Sequence, residues 1–263
     1  MVKERADVLL VNKDLAPSRE KAKRLIMSGE VFIGTQRVEK PGQLINIDED
    51  ITIKSNSLKY VSRGGFKLEK AINLYNLNLK DLTCMDIGAS TGGFTQCMLF
   101  NGAKKVYAID VGYNQLDYSL RIDDRVISME KTNIRTFDRS KIAEPIDFIS
   151  IDVSFISLEL VLPKAVELLR EDGKIVALIK PQFEAGRDKV GKKGIVRDNT
   201  VHKEVIEKVI NIARDLNLRI LGLTYSPIKG ATGNVEFLIL FENSNMESVN
   251  LDIDSVIGES NVM

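Results

Sequence analysis

The segment Asp86-Ile87-Gly88-Ala89-Ser90-Thr91-Gly92-Gly93-Phe94 constrains this chain more than any other. The apolar run Leu82 to Met85 precedes it, and a helical pattern from Phe94 to Gly102 follows. Strand, glycine loop, helix is the order of a doubly wound α/β sheet, which binds ligands outside the carboxyl ends of its strands. Glycines let the backbone approach a ligand, and a helix amino terminus offers free N–H groups. About twenty residues on, Val106-Tyr107-Ala108-Ile109-Asp110 is a second strand ending in an acid, whose carboxylate can hold both hydroxyls of a ribose. The loop spells D-x-G-x-x-x-G-G. That is neither the dinucleotide pattern G-x-G-x-x-G nor a phosphate loop closing on Gly-Lys-Ser/Thr. A nucleoside cofactor without a pyrophosphate suits it, and S-adenosylmethionine is the candidate. The expected cofactor residues are Asp86, Gly88, Ala89, Ser90, Thr91, Gly92, Gly93, Phe94 and Asp110. Asp86, Gly88 and Gly92 are expected at the methionine end, so that Gly92→Val should block binding.

The length of 263 residues allows one or two domains, and 44% hydrophobic residues suffice for an ordinary core. The 37 basic and 37 acidic side chains cancel, so a nucleic-acid partner must be met by local patches. Cys84 and Cys97 fall in the first strand and the following helix, where they read as small hydrophobes. No His/Cys cluster points to a metal. The stretch Met1 to Asp7 lacks the apolar core of a signal peptide, and no apolar run approaches about 18 residues, the length of a membrane span. A cytoplasmic protein is expected.

Residues 1–60 read as a small domain: a helix from Arg5 to Leu15, and a second begun by Pro17-Ser18 with Ser18 as N-cap. A hairpin follows, Val31–Ile33 and Gln36–Val38 around Gly34-Thr35, then a strand at 51–54. The second helix carries Arg19, Lys21, Lys23 and Arg24 outward, with Leu25, Ile26 and Met27 helping to bury it. A linker is expected at about 55–61 and a second domain over 62–245, opening on a helix from Gly65 to Leu77. Strands at 82–87, 106–110, 125–129, 146–152, 174–180, 218–225 and 235–241 alternate with helices at 93–101, 113–120, 157–170 and 200–216. Helical crossovers imply a largely parallel sheet, and the short connection Ser226 to Asn234 makes one strand antiparallel. Residues 246–263, rich in Asn, Ser and Asp, are expected to form a flexible tail.

The amino-terminal pattern, Arg5-Ala6-Asp7 through Ser18-Arg19-Glu20-Lys21 to Gly29-Glu30-Val31-Phe32-Ile33, resembles an S4 domain, a small α+β module that binds structured ribosomal RNA. Further on come Val61-Ser62-Arg63-Gly64-Gly65-Phe66-Lys67-Leu68, Asp152-Val153-Ser154-Phe155-Ile156-Ser157, Leu178-Ile179-Lys180-Pro181-Gln182-Phe183-Glu184 and Gly233-Asn234-Val235-Glu236-Phe237. With the glycine loop, these resemble the TlyA (haemolysin A) family over roughly residues 3 to 242. Its members join an S4 domain to an FtsJ/RrmJ-type 2′-O-ribose methyltransferase domain. The resemblance implies a Rossmann-like class I methyltransferase fold with a mostly parallel seven-stranded sheet. It also implies S-adenosyl-L-methionine as cofactor, ribosomal RNA or ribosomal subunits as partner, cytidine ribose as target, and no membrane. By motif position it places a catalytic Lys–Asp–Lys–Glu tetrad at Lys67, Asp152, Lys180 and Glu236. RNA contacts would fall to Arg5, Arg19, Lys21, Lys23, Arg24 and Arg63.

The chemistry asks for such a set. A ribose hydroxyl is a poor nucleophile until its proton is removed or polarised, and a lysine can do this if partly desolvated. The sulfonium methyl is already activated, so alignment is the main remaining task. Lys180 ends a central strand and is read as the base, held between Asp152 and Glu236. Asp152 also lies near the cofactor, and Glu236 and Lys67 complete the charge network. Methylation at cytosine C5 needs a cysteine at the sheet's carboxyl edge, and neither Cys84 nor Cys97 is there. Exocyclic amine methylation uses an Asp/Asn-Pro-Pro-aromatic segment, and Asp152-Val153-Ser154-Phe155 lacks the prolines. Phe155 reads equally as a base-stacking or a core residue. The loop Pro181 to Asp198, with Arg187, Lys189, Lys192, Lys193 and Arg197, reads as a mobile basic loop, and His202 as solvent-facing. Two rivals stand beside the enzyme: a catalytically inactive RNA-binding assembly factor, and a pore-forming haemolysin.

Overall fold

The computed structural model describes residues 2–34, 36–53, 59–230 and 232–262. The chain divides into two compact units, Met1–Leu58 and Lys59–Met263. Most of the expected linker, Thr35 of the expected hairpin turn and Lys54 of the strand at 51–54 lie outside the described residues.

In the first unit, β1 (Lys3–Arg5) runs into α1 (Ala6–Asn12), and α2 (Arg19–Met27) begins where the Ser18 hydroxyl accepts the Lys21 N–H. β2 (Val31–Ile33) pairs antiparallel with β3 (Gln36–Arg37), and β4 (Leu44–Asn46) pairs with β1. β5 (Ile51–Ile53) closes the three-stranded sheet on β2. The first helix is shorter than expected because Asp14 turns into the left-handed region at φ 56°. The β1–β4 ribbon had no readable signal, since Lys3-Glu4-Arg5 carries no apolar alternation. Leu9, Leu10, Ala22, Ile26, Val31 and Ile45 form the core. Met27 does not join it: one position beyond Ile26 it points away, and it is 69% exposed.

Asp7 is fully buried and accepts from Arg5 Nε at 2.9 Å and from Arg19 at 2.9 Å. The Arg5 hydrogen bond foremost, helped by Arg19 and opposed by burial, holds its carboxyl down at about 2. A carboxyl depressed in the folded state stabilises above its unfolded value, about 3.9. That contribution is lost as pH falls through about 2. Between those limits Asp7→Asn should flatten the acid loss of stability in α1 and α2, read by residue-resolved urea titration. An unchanged acid limb would separate the pair from stability.

The second unit opens with α3 (Gly64–Leu74). Then follow β6 (Thr83–Ile87), α4 (Gly93–Phe100), β7 (Lys105–Ile109), α5 (Tyr118–Arg121), β8 (Val126–Met129), β9 (Ile146–Ile151) and α6 (Leu162–Leu168). The chain continues through β10 (Leu169–Ile179), α7 (Pro181–Glu184), α8 (Asn199–Asp215), β11 (Arg219–Tyr225), β12 (Phe237–Glu242) and α9 (Ile253–Ser260). The seven strands lie in the order β11-β12-β10-β9-β6-β7-β8, all parallel except β12, which runs antiparallel to both neighbours. The order reverses between β6 and β9, so the crevice of a doubly wound sheet opens at their carboxyl ends. β6 is buried along its whole length, as a central strand covered on both faces requires. Cys84, Val106, Phe148 and Val176 pack towards α3 and α4, whereas Met85, Tyr107, Ile149 and Ile175 face the cluster that includes α6 and α8.

Three elements differ from expectation. The helix at 113–120 shrinks to α5, because Asn114 sits at φ 56° and Asp117 caps a later start. The helix at 157–170 shortens to α6, which starts beside Pro163, and its last residues enter β10. The tail holds α9, capped by Asp252, with Ile257 buried and Asp254 paired with Lys203 at 2.7 Å. The apolar spacing Ile253, Val256, Ile257 was hidden among polar neighbours. Among the described residues, no helix is long and apolar enough to cross a membrane.

Candidate active site

The four tetrad positions come from four different elements and meet at the carboxyl edge of the sheet. Lys67 projects from α3, a helix seated by Tyr60, whose buried ring packs on Phe66 and Phe100 and whose hydroxyl donates to Glu69. Asp152 follows β9, Lys180 follows β10, and Glu236 precedes β12. Lys67 Nζ donates to Glu236 Oε2 at 2.7 Å and lies 3.8 Å from Asp152 Oδ2. Lys180 Nζ lies 2.6 Å from Asp152 Oδ1 and donates to Ser154 Oγ at 3.0 Å. The order is therefore Glu236, Lys67, Asp152, Lys180. Lys180 is not held between Asp152 and Glu236: Glu236 takes Lys67, and among the described residues Asp152 alone bridges both lysines. Lys67 and Lys180 are under a tenth exposed, so removing Asp152 or Glu236 would leave a buried lysine without its carboxylate.

Two cavities flank this row. The first, of 330 Å³, is lined by Ser62, Arg63, Lys67, Asp152, Lys180 and Lys229, with Gly88, Ala89, Ser90, Thr91, Gly93 and Phe94 of the glycine loop. The second, of 380 Å³, has Asp110 and Arg135 at its rim and Ile109, Val111, Ile134, Val153 and Ile156 as apolar walls. Gly88, Ser90, Asp152 and Ser154 line both, so the cavities adjoin along these residues, and Lys180 lines the first. Gly88 sits at φ 87°, and a Cβ there would stand 2.6 Å from the Asp152 carbonyl. The Asp152 N–H donates to the Ile87 carbonyl, which locks the two strand ends together. Asp110 accepts the N–H of Ser90 and of Gly112, each at 2.7 Å, and keeps lone pairs for further donors. An acid held this way above an apolar slot, next to a loop with no room for a Cβ, fits a nucleoside cofactor.

Two loop residues stand elsewhere than expected. Asp86 lines neither cavity: it is fully buried inside β6, accepting from Thr95 Oγ1 at 2.7 Å and Ser150 Oγ at 3.0 Å. Burial pushes its carboxyl up to about 7 against those two donors. Its role is to tie β6 to β9 and α4. Gly92 also faces away from both cavities; a Cβ there would run into Leu120 and Leu116.

His202 is buried, not solvent-facing. Its Nε2–H donates to the Val196 carbonyl, its ring meets Phe237 edge-on at 5.5 Å, and burial lowers its pKa. Asn234 joins it: its amide donates to the Gly194 carbonyl and accepts the Val196 N–H. These bonds anchor the basic loop beside Glu236. Sequence reasoning did not single out Thr132 to Arg135, yet they line the second cavity. Their signal was position, since they follow β8 as Asp110 follows β7. Ser154 lay in the segment Asp152 to Ser157 without a role assigned to it, and Ile228, Lys229 and Gly230 came without a signal.

Of the expected RNA contacts, Arg63 lies exposed at the rim of the first cavity. On the first unit Lys21 and Arg24 are exposed, Lys23 pairs with Glu20, and Arg5 and Arg19 share Asp7.

A doubly wound sheet ending in an antiparallel pair, with a glycine loop and paired lysines and carboxylates at its carboxyl edge, defines a Rossmann-like methyltransferase. Residues 60–243 match the FtsJ-like methyltransferase family and residues 4–51 match the S4 domain, and the chain belongs to the FtsJ-like methyltransferase family with an amino-terminal S4 domain. It is 40% identical to the "16S/23S rRNA (cytidine-2'-O)-methyltransferase TlyA" of Mycobacterium tuberculosis, over 89% of this chain and 88% of that one. It is 42% identical to "Hemolysin A" of Brachyspira hyodysenteriae, over 90% and 99% respectively. A solved Streptococcus thermophilus chain, described as a candidate hemolysin, superposes with a TM-score of 0.79 at 47% identity, covering 100% of this chain and 97% of that one.

Proposed function

We propose that this enzyme is an S-adenosylmethionine-dependent 2′-O-methyltransferase of ribosomal RNA acting on cytidine ribose. The row Glu236–Lys67–Asp152–Lys180, whose lysines line the first cavity and whose Asp152 lines both, carries this reading. The second cavity, with Asp110, suits the nucleoside of a cofactor; the first, where the glycine loop meets Arg63 and Lys229, suits the methionine end of that cofactor beside the target ribose and its phosphates. The rRNA and cytidine parts rest on the relative named for that reaction. Bound S-adenosylmethionine supplies an electrophilic methyl group. Asp110 holds the cofactor ribose, and the Gly88 turn leaves space for the methionine end. With that cofactor bound, the neutral amine of Lys180 would take the proton of the target 2′-hydroxyl; the oxygen would bond to the methyl carbon as the carbon–sulfur bond breaks, its electron pair leaving on sulfur. Asp152 fixes Lys180 and Lys67, and the Lys67–Glu236 pair bounds the ribose. Phe155, 90% exposed and 5.0 Å from Phe183, offers a ring face at the lip for the target base.

The test is methyl transfer from labelled S-adenosylmethionine to ribosomal subunits, with ribose methylation mapped in rRNA made with and without the protein. Labelling confined to a cytidine 2′-oxygen is expected; labelling on a base, or none with cofactor bound, rejects the reading. The first unit should supply phosphate contacts. Lys21→Ala with Arg24→Ala should reduce the salt dependence of RNA binding by a slope of roughly one for each phosphate no longer neutralised. An unmoved slope would make that helix face only a solvated surface.

A further inference from the structure

We infer that Ser154 is a positioning residue that sets the direction of the Lys180 amine. The inference rests on the methyl-transfer reading of this site. Asp152 Oδ1 is close to Lys180 Nζ, at 2.6 Å, but among the described residues no donor is aimed at it. It supplies charge without direction. The directional bond runs from Lys180 Nζ to Ser154 Oγ, 3.0 Å away. An amine fixed along one N–H has its remaining positions fixed in a cone about that bond. Lys180, Ser154 and Asp152 all line the first cavity, and Ser154 and Asp152 line the second as well.

The loop carrying Ser154 is built to hold it. At one end the Asp152 N–H donates to the Ile87 carbonyl. At the other, buried Glu184 accepts Ser157 Oγ at 2.6 Å and the Leu158 N–H at 2.7 Å. Between them Phe155 adopts φ 63° while 90% exposed, a conformation that a bulky residue keeps only where its surroundings enforce it. Glu184 lies on α7, which starts directly after Lys180. The acceptor and the amine are thereby referenced to the same short helix.

Ser154→Ala should slow single-turnover methyl transfer about 10- to 100-fold, the worth of a hydrogen bond to a charged group. The melting temperature should not move, and cofactor and RNA affinities should fall by less than the rate does, because Ser154 also lines both cavities. Ser154→Thr, which keeps the hydroxyl, should restore most of the rate. A second measurement does not depend on activity: labelling of Lys180 by an amine-acylating reagent, read by mass spectrometry, should speed up in Ser154→Ala and not in Ser154→Thr. Unchanged labelling in Ser154→Ala overturns the inference. So does a wild-type transfer rate in Ser154→Ala, or a loss that Thr fails to rescue. If wild-type protein transfers no methyl to ribose, the functional reading fails, and the labelling result still decides whether Ser154 holds Lys180.

Discussion

Lys180→Ala should lower single-turnover methyl transfer about 10²- to 10⁴-fold at saturating cofactor and RNA, the usual contribution of a positioned acid–base group. Binding of both ligands should persist, because the glycine loop, Asp110 and the S4 unit are untouched. Lys180→Arg should fail equally: a guanidinium does not give up its proton, and its planar fork does not fit an amine's place beside Asp152 Oδ1 and Ser154 Oγ. A near-normal rate for Lys180→Ala would leave alignment as the whole of catalysis. Asp152→Ala removes the carboxylate that faces both lysines, so it should fail as well, and its place in the lining of both cavities predicts weaker cofactor binding in addition.

Gly92→Val should destabilise the second unit by about 2–6 kcal/mol, combining strain at positive φ with overpacking. Gly92 caps α4 at φ 95°, and its missing Cβ faces Leu120 and Leu116. Denaturant unfolding should show the loss, and cofactor affinity in the fraction that stays folded should be near wild type. Gly88→Ala should do the reverse, disturbing the cavity mouth through the Asp152 carbonyl. A folded, stable Gly92→Val protein with no cofactor binding would return Gly92 to the ligand site.

The contrast between these glycines marks what sequence could convey. Strand-end chemistry was legible: a loop after β6 and charged residues after β9 and β10 fall at the carboxyl edge whatever the packing. Partnerships were not. That Lys67, rather than Lys180, takes Glu236 depends on how α3 lies over the sheet, a long-range fact. That Gly92 faces Leu120 depends on a short helix whose expected start was wrong. Asp86 looked like a ligand residue because it opens the motif, but period-two alternation sends it into the sheet, where Ser150 and Thr95 satisfy it. His202 sits in a polar stretch, and only the tertiary fold puts Phe237 against its ring.

The antiparallel pairing of β10 with β12 has a consequence for how this chain can tolerate insertions. Ile179 lies opposite Phe237 in that ladder, so Lys180 and Glu236 are the next residues beyond one rung. Their spacing is written in hydrogen-bond register and owes nothing to the length of chain between them. The crossover through the basic loop and α8 is therefore free to gain or lose residues at its exposed points without moving either charge. A single residue added between Glu236 and Phe237 is another matter. It leaves the ladder intact yet turns Glu236 to the opposite face of the sheet, taking away the partner of Lys67 while every strand still pairs.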